Sequence, residues 1–257
     1  MIGVPAGYVM ERERGVVIVA LPSVVEAVRA AIAQHGSLHA AAASAPNAHS
    51  FTGRSRAFVM TAGGIECVVR HYQRGGAAGR LLDDEFLNIG EPRPLRELRA
   101  SAAARTRGVS TPEVVATVTY RAGAGAYYRA DIATRLVPRA IDLAELSLGG
   151  SADVRVRCAG WTAAGALLRQ MFAAGLRHAD LNLRNMLITG TAEGSAAATL
   201  LDLDRAVVGD RAVSDVAGRR MLERLHRSRR KLESVYGERV TAAELAAFAA
   251  ALAGVDA

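Results

Sequence analysis

In the C-terminal half of the chain, the run His178-Ala179-Asp180-Leu181-Asn182-Leu183-Arg184-Asn185 sets an aspartate and an asparagine five residues apart. Two apolar segments follow, at 186–189 and 199–202, and they lead into Leu200-Leu201-Asp202-Leu203-Asp204. These residue types in this order suit phosphoryl transfer. Asp180 would orient an attacking hydroxyl and accept its proton. Asn185 would bind a metal ion, and Asp202, just past a buried strand, would bridge that metal to nucleotide phosphates. Mg²⁺ takes hard oxygen ligands, which both side chains supply. The Asp–Asn spacing alone describes any loop with capping residues. The apolar strand pair ending in Asp202 makes it specific. His178 reads as a structural residue that bonds the loop backbone.

The order of these groups resembles the catalytic loop of protein-kinase-like enzymes. Asn182 takes a place where protein kinases usually carry Lys, which points away from a protein acceptor and towards a small molecule or glycan. In the N-terminal half, Gly53-Arg54-Ser55 precedes a strand, and its N–H groups are candidates to cover ATP phosphates. Lys231 is the only lysine in the chain, so a phosphate-holding lysine is not available there. Arg70, on the strand Cys67-Val68-Val69-Arg70, is the candidate to replace it, paired with Glu97 on the following helix.

The elements that must position these groups can be read from the pattern. Residues 8–21 predict two strands around a polar turn. Ser23 is a candidate cap for a helix that ends at Gly36. Residues 37–50 read as a loop. Strands are expected at 57–61 and 65–72, joined by Gly63-Gly64, and again at 113–121 and 126–137, with a helix over 93–107 between them. Residues 73–91 are Gly- and charge-rich. After Pro138 the texture turns helical over 139–177, then come a polar loop at 178–185 and the two apolar strands. The last fifty residues read as helices. The expected organisation is α+β, with a β-rich N-lobe over 1–135 and a helical C-lobe over 136–257. Residues 1–45 form a divergent extension of the first.

A chain of 257 residues, about half of them hydrophobic, is long enough to bury a sizeable core. Its net charge of +7 favours an anionic partner without choosing one. A nucleic-acid reading rests on charge alone, since few aromatics line the basic segments, and none is expected as a partner. Cys67 and Cys158 lack a CxxC pattern and read as buried free thiols of a reducing compartment. No secretory signal opens the sequence, and no stretch reaches the ~18 apolar residues of a membrane span.

Several segments together resemble one family. Arg70-His71-Tyr72-Gln73-Arg74-Gly75-Gly76 is similar to the RHYxRGG segment of 3-deoxy-D-manno-octulosonic acid (Kdo) kinases. Residues 127–134 resemble their YRADLxTE run, 178–185 their HADLNxxN, and 201–205 their IDFDR, with Leu203 for Phe. Arg135 stands where Glu often follows Thr134. Residues 219–232 resemble their Arg-rich helix, and the match runs over roughly 50–232. The resemblance to this lipopolysaccharide kinase family, which includes heptose kinases, implies a protein-kinase-like two-lobed fold. It implies transfer of the ATP γ-phosphate, with Mg²⁺, to a Kdo hydroxyl of lipid A-linked inner core. It makes Asp180 the base, Asn185 and Asp202 metal ligands, and Arg70 and Glu97 the phosphate-holding pair. Another small-molecule, heptose or protein kinase of the same fold is the alternative, as is a pseudokinase that binds without turnover. A lipid-borne acceptor also implies a peripheral place on the cytoplasmic side of the inner membrane. There the 219–236 helix would meet the anionic surface, with Met221, Leu222, Leu225, Leu232 and Val235 set against seven basic side chains.

Overall fold

The computed structural model describes residues 3–45, 50–51, 56–73, 84–190 and 195–255. The chain forms two compact units, Met1–Ala102 with Glu113–Leu136, and Ala103–Pro112 with Val137–Ala257.

The first unit is built on one antiparallel sheet. Its strands are β1 (Val9–Glu13), β2 (Val16–Ala20), β3 (Ser50–Phe51), β4 (Ala57–Ala62), β5 (Ile65–His71), β6 (Phe86–Leu87), β7 (Val114–Ala122) and β8 (Tyr127–Arg135). Among the described residues the order is β1-β2-β7-β8-β5-β4-β3, with β6 on β8. The hairpin β4–β5 turns at Gly63 and Gly64, with φ of +54° and +79°. A Cβ at Gly63 would also lie 2.3 Å from the Ser23 carbonyl oxygen, so only glycine fits there. Helices α1 (Val25–His35) and α2 (Leu38–Ala43) cover one face. Their Val25, Val28, Leu38 and Ala42 pack against Ile18, Cys67, Val69, Val118 and Ala133. Helix α3 (Arg93–Thr106) covers the other, where Leu95 and Leu98 meet Val19, Tyr72, Phe86, Tyr128 and Ile132. Alternate residues of each strand thus feed opposite layers.

The second unit is mainly helical, with β9 (Ile141–Asp142), α4 (Leu143–Leu148), α5 (Val154–Ala173), β10 (Leu176–Arg177), β11 (Met186–Thr189), β12 (Ala197–Leu200), β13 (Val207–Val208), α6 (Asp215–Tyr236) and α7 (Ala242–Ala253). Helix α5 is its axis. Trp161 is buried, donates to Ser147 Oγ at 2.9 Å, and packs edge-on against Phe248 of α7 at 5.6 Å. Gly165 lets the two helices touch, because a Cβ there would lie 2.4 Å from the Phe248 carbonyl oxygen. Residues 103–112 count with this unit: Leu200 N–H donates to the Ser110 carbonyl at 2.9 Å, and the Ser110 and Thr199 hydroxyls meet at 2.9 Å.

Several expectations are corrected. Ser23 does not cap α1. Pro22 opens a 3-10 turn, Pro22–Val24, and the helix starts from Val24 without a side-chain cap. The 37–50 stretch is not all loop, since Ser37 caps α2 by accepting from Ala40 N–H and an alanine run follows. The second apolar strand ends at Leu200, so Leu201 and Asp202 lie beyond it. The expected helical texture of 139–177 also contains β9, and the Gly-rich 73–91 stretch contains β6. Cys67 is buried, and burial pushes its thiol up to about 11, but Cys158 is only half-buried. On α6 the basic face is thinner than expected. Arg229 is half-buried and pairs with Glu233 at 2.5 Å, while Val235, expected on the apolar face, is 68% exposed.

Candidate active site

In the second unit, hydrogen bonds from side chains to the backbone, with one backbone ladder bond, tie the segments of Asp180, Asn185 and Asp202 together. Residues 180–185 connect β10 to β11 through a 3-10 turn, Leu183–Asn185. Leu181 and Leu183 are buried and anchor the loop, so the intervening polar residues face outward. The Asp180 carbonyl accepts from Asn182 Nδ2 at 2.9 Å and from Asn185 Nδ2 at 3.1 Å, while its N–H donates to His178 Nδ1 at 3.2 Å. Both ends of this peptide are therefore fixed, and the residue itself is exposed.

His178 is 2% exposed. Its Nδ1 accepts from residue 180, so Nε2 carries the proton and donates to the Leu201 carbonyl at 3.2 Å. One imidazole thereby links the loop to the residue before Asp202. A second link closes the frame: Leu201 N–H donates to the Asn185 carbonyl at 2.8 Å, continuing the β11–β12 ladder in which Met186 faces Leu200. Asp202 then takes φ +61°. That left-handed conformation is uncommon outside glycine and persists where the surroundings enforce it. It ends the strand path and returns Leu203 to the core at 2% exposure.

These residues fit a magnesium ion. The Asn185 amide nitrogen donates to the Asp180 carbonyl, and the Asn185 amide oxygen and the Asp202 carboxylate are hard oxygen donors of the kind the ion takes. No group of three or more His, Cys, Asp or Glu side chains suited to a metal occurs among the described residues. A sparse Asn–Asp set suits Mg²⁺, which keeps several waters and takes further ligands from phosphate.

In the first unit, Arg70 on β5 and Tyr72 just past its end lie on one face, where Tyr72 N–H donates to the Ala130 carbonyl at 2.9 Å. Arg70 Nη2 meets Glu97 Oε1 at 2.6 Å, and the Tyr72 hydroxyl donates to the other Glu97 oxygen. The Glu97 side chain is 4% exposed and that of Arg70 30%. A nearly buried carboxylate with two donors holds an arginine that still reaches solvent. Arg93 lies over the rings of Phe86 and Tyr72, at 4.8 Å and 5.5 Å from their centroids, and closes this layer. The period-two alternation of a strand places Tyr72 beside Arg70. Gly53, Arg54 and Ser55 lie outside the described residues, between the paired strands β3 and β4.

Two further groups have no sequence signature. Arg184, inside the loop, reaches the Tyr236 hydroxyl at 3.5 Å, and that hydroxyl donates to Glu145 at 3.1 Å, tying the loop to α4 and α6. Beside them, burial raises the pKa of Asp142, the cap of α4. At the end of β8, Arg135 pairs with Glu113 at 2.6 Å, which gives this departure from the family pattern a local partner.

A profile of the lipopolysaccharide kinase (Kdo/WaaP) family matches residues 42–251. A protein named 3-deoxy-D-manno-octulosonic acid kinase from Stenotrophomonas maltophilia (strain K279a) is 35% identical over 189 residues, 73% of this chain and 70% of that protein. One of the same name from Xanthomonas axonopodis pv. citri (strain 306) is 35% identical over 182 residues, 70% of this chain and 68% of that protein. Among solved structures, WaaP in complex with acyl carrier protein aligns with a TM-score of 0.53 at 16% identity, covering 82% of this chain and 80% of that one. That likeness bears on the fold alone. The α+β architecture, the framed Asp–Asn–Asp set and the extent of the sequence match converge: this chain belongs to the lipopolysaccharide kinase (Kdo/WaaP) family.

Proposed function

We propose that this protein transfers the γ-phosphate of ATP to a hydroxyl of a Kdo sugar on a lipid A-linked lipopolysaccharide precursor. The observation that carries the reading is the His178 frame, which fixes Asp180, Asn185 and Asp202 through one buried ring and one ladder bond. The first unit acts as the N-lobe and the second as the C-lobe. Asp180 orients the acceptor hydroxyl and takes its proton as the new bond forms. Asn185 and Asp202 would hold Mg²⁺, whose charge would offset that of the phosphates. Arg70, steadied by Glu97, holds the nucleotide phosphates through a fixed fork of donors. Asn182 bonds the Asp180 carbonyl, so the position that is Lys in protein kinases serves the loop itself here. No helix among the described residues is long and apolar enough to cross a membrane. The acceptor is a phosphate-bearing lipid, and α6 offers a basic face to an anionic surface. Peripheral attachment to the cytoplasmic side of the inner membrane follows as part of the proposal. The test is mass spectrometry of defined Kdo-lipid A after incubation with the protein, ATP and Mg²⁺. A gain of one phosphate on the Kdo residue is expected. An unchanged acceptor together with undiminished ATP would refute the reading.

A further inference from the structure

The face of β5 opposite Arg70 carries a buried charge cluster with no part in the roles above. His71 Nδ1 meets Asp131 Oδ1 at 2.6 Å, and its Nε2 meets Asp84 Oδ2 at 3.2 Å. Asp131 is fully buried and stands directly across from His71 in the β5–β8 register. Its second oxygen accepts from the Tyr120 hydroxyl at 2.8 Å and from His39 N–H at 3.0 Å. The Tyr120 hydroxyl in turn accepts from Leu38 N–H at 2.8 Å. Leu38 and His39 open α2, and they precede residue 42, where the family match begins.

A buried carboxylate is tolerated only when its oxygens are well paired. Apolar packing would fill this position at lower cost, so the cluster is better suited to fixing geometry than to adding stability. Strand geometry transmits that constraint, because His71 and Arg70 are neighbours on opposite faces of one short strand. We propose that His71 is a positioning residue for Arg70: the His71–Asp131–Tyr120 cluster, completed by the start of α2, fixes β5 from behind and so aims Arg70 at Glu97 and the nucleotide phosphates. The proposal rests on the phosphotransferase reading and gives the N-terminal extension a part in it.

Both ring nitrogens of His71 face carboxylates, which calls for an imidazolium. The hydrogen bond to Asp131 raises its pKa against the opposing effect of burial. Among the described residues, the other titratable or charged groups around it are Tyr120 on β7, His39 on α2 with ring centroids 5.6 Å apart, and Arg129 on β8, which pairs with Asp84 at 3.2 Å. A raised histidine pKa means that the clamp is complete at low pH and weakens as pH rises through the folded-state value. The neutral ring keeps one proton, which serves buried Asp131, and the Asp84 contact is lost.

Calorimetric titration of Mg²⁺-ATP into the full chain tests this, with thermal denaturation of each variant as control. His71→Gln is expected to weaken binding about tenfold, and Tyr120→Phe about two- to fivefold. In an Arg70→Ala background His71→Gln should add less than about twofold, because both changes act on one contact. Wild-type affinity should also fall at alkaline pH in a way that His71→Gln does not reproduce. Equal cost of His71→Gln in both backgrounds, or wild-type affinity in both single variants, overturns the proposal and leaves the kinase reading intact. Wild-type protein that binds no Mg²⁺-ATP overturns both. Tyr120→Phe, which keeps the ring, decides the matter if His71→Gln does not fold.

Discussion

Asp180 combines a committed backbone with an exposed position, and that division predicts how a substitution behaves. Asp180→Asn keeps the backbone hydrogen bonds of residue 180 with His178, Asn182 and Asn185 and removes only the proposed base. It should lower kcat by ~10²–10⁴ with Mg²⁺-ATP affinity unchanged, and steady-state rates beside calorimetry will check both halves. Arg70→Lys is expected to raise the KM for ATP despite restoring the usual kinase residue. The Glu97 carboxylate, held by the Tyr72 hydroxyl, takes one arm of a planar fork and leaves the fork's other donors to phosphate, whereas Lys offers a point charge. A KM within twofold of wild type would show that fork geometry is unimportant there. Asp180, Asn185 and Asp202 are legible as a candidate set because the proposed chemistry asks for a particular residue type at a particular distance from a strand. In the sequence His71 and Asp131 are only letters of two separate motif segments. Their pairing depends on strand register, and β5 and β8 are separated by β6, α3 and β7 in the chain.

At the scale of elements, long periodic segments were readable and short ones were not. The hairpin β4–β5, helix α3 and the β7–β8 pair lie within a residue or two of their expected bounds, while β1 runs on to Glu13, into the stretch that reads as a polar turn. Strands β6, β9, β10 and β13 have two residues each, too few for any alternation to show. Helix α2 hid in an Ala/Ser/His stretch whose polar letters read as loop, although Ser37 is an effective cap. The α5–α7 contact was also invisible, because Gly165 has no signature beyond being a glycine within a helix. It now makes a prediction. Gly165→Val puts side-chain carbon where the Phe248 carbonyl approaches to 2.4 Å, and must push the helices apart. A loss of ~1–3 kcal/mol is expected from overpacking, partly offset by better helix propensity. Chemical denaturation should register it, with kcat per folded molecule unchanged. An undiminished midpoint would mean that α7 moves freely against α5.

For the whole molecule, a net charge of +7 sets a direction but not a location, and α6 narrows it. Arg220, Arg224, Arg227 and Lys231 are exposed and recur at helical spacing along one side. Met221 and Leu225 are buried on the other. Arg229 is excluded from this surface, because it bonds Glu233, whose same carboxylate oxygen caps Val240 N–H. Changing it would test the fold and the surface together. Membrane docking is therefore best tested with Arg220, Arg224, Arg227 and Lys231 changed to Gln and Arg229 kept. Each basic side chain near an anionic surface contributes ~1 kcal/mol, and the attraction fades within about 8–10 Å at moderate salt. Losing four should reduce sedimentation with anionic vesicles by well over tenfold. The wild type should also detach as salt rises, while neutral vesicles should bind neither protein. Because these side chains reach solvent, the variant should keep its thermal midpoint and its turnover on acceptor dispersed in detergent, losing rate only on acceptor held in a bilayer. A variant that sediments like the wild type at every salt concentration would make α6 a helix of the core with a solvated outer face. Surface attachment would then have to come from elsewhere in the chain.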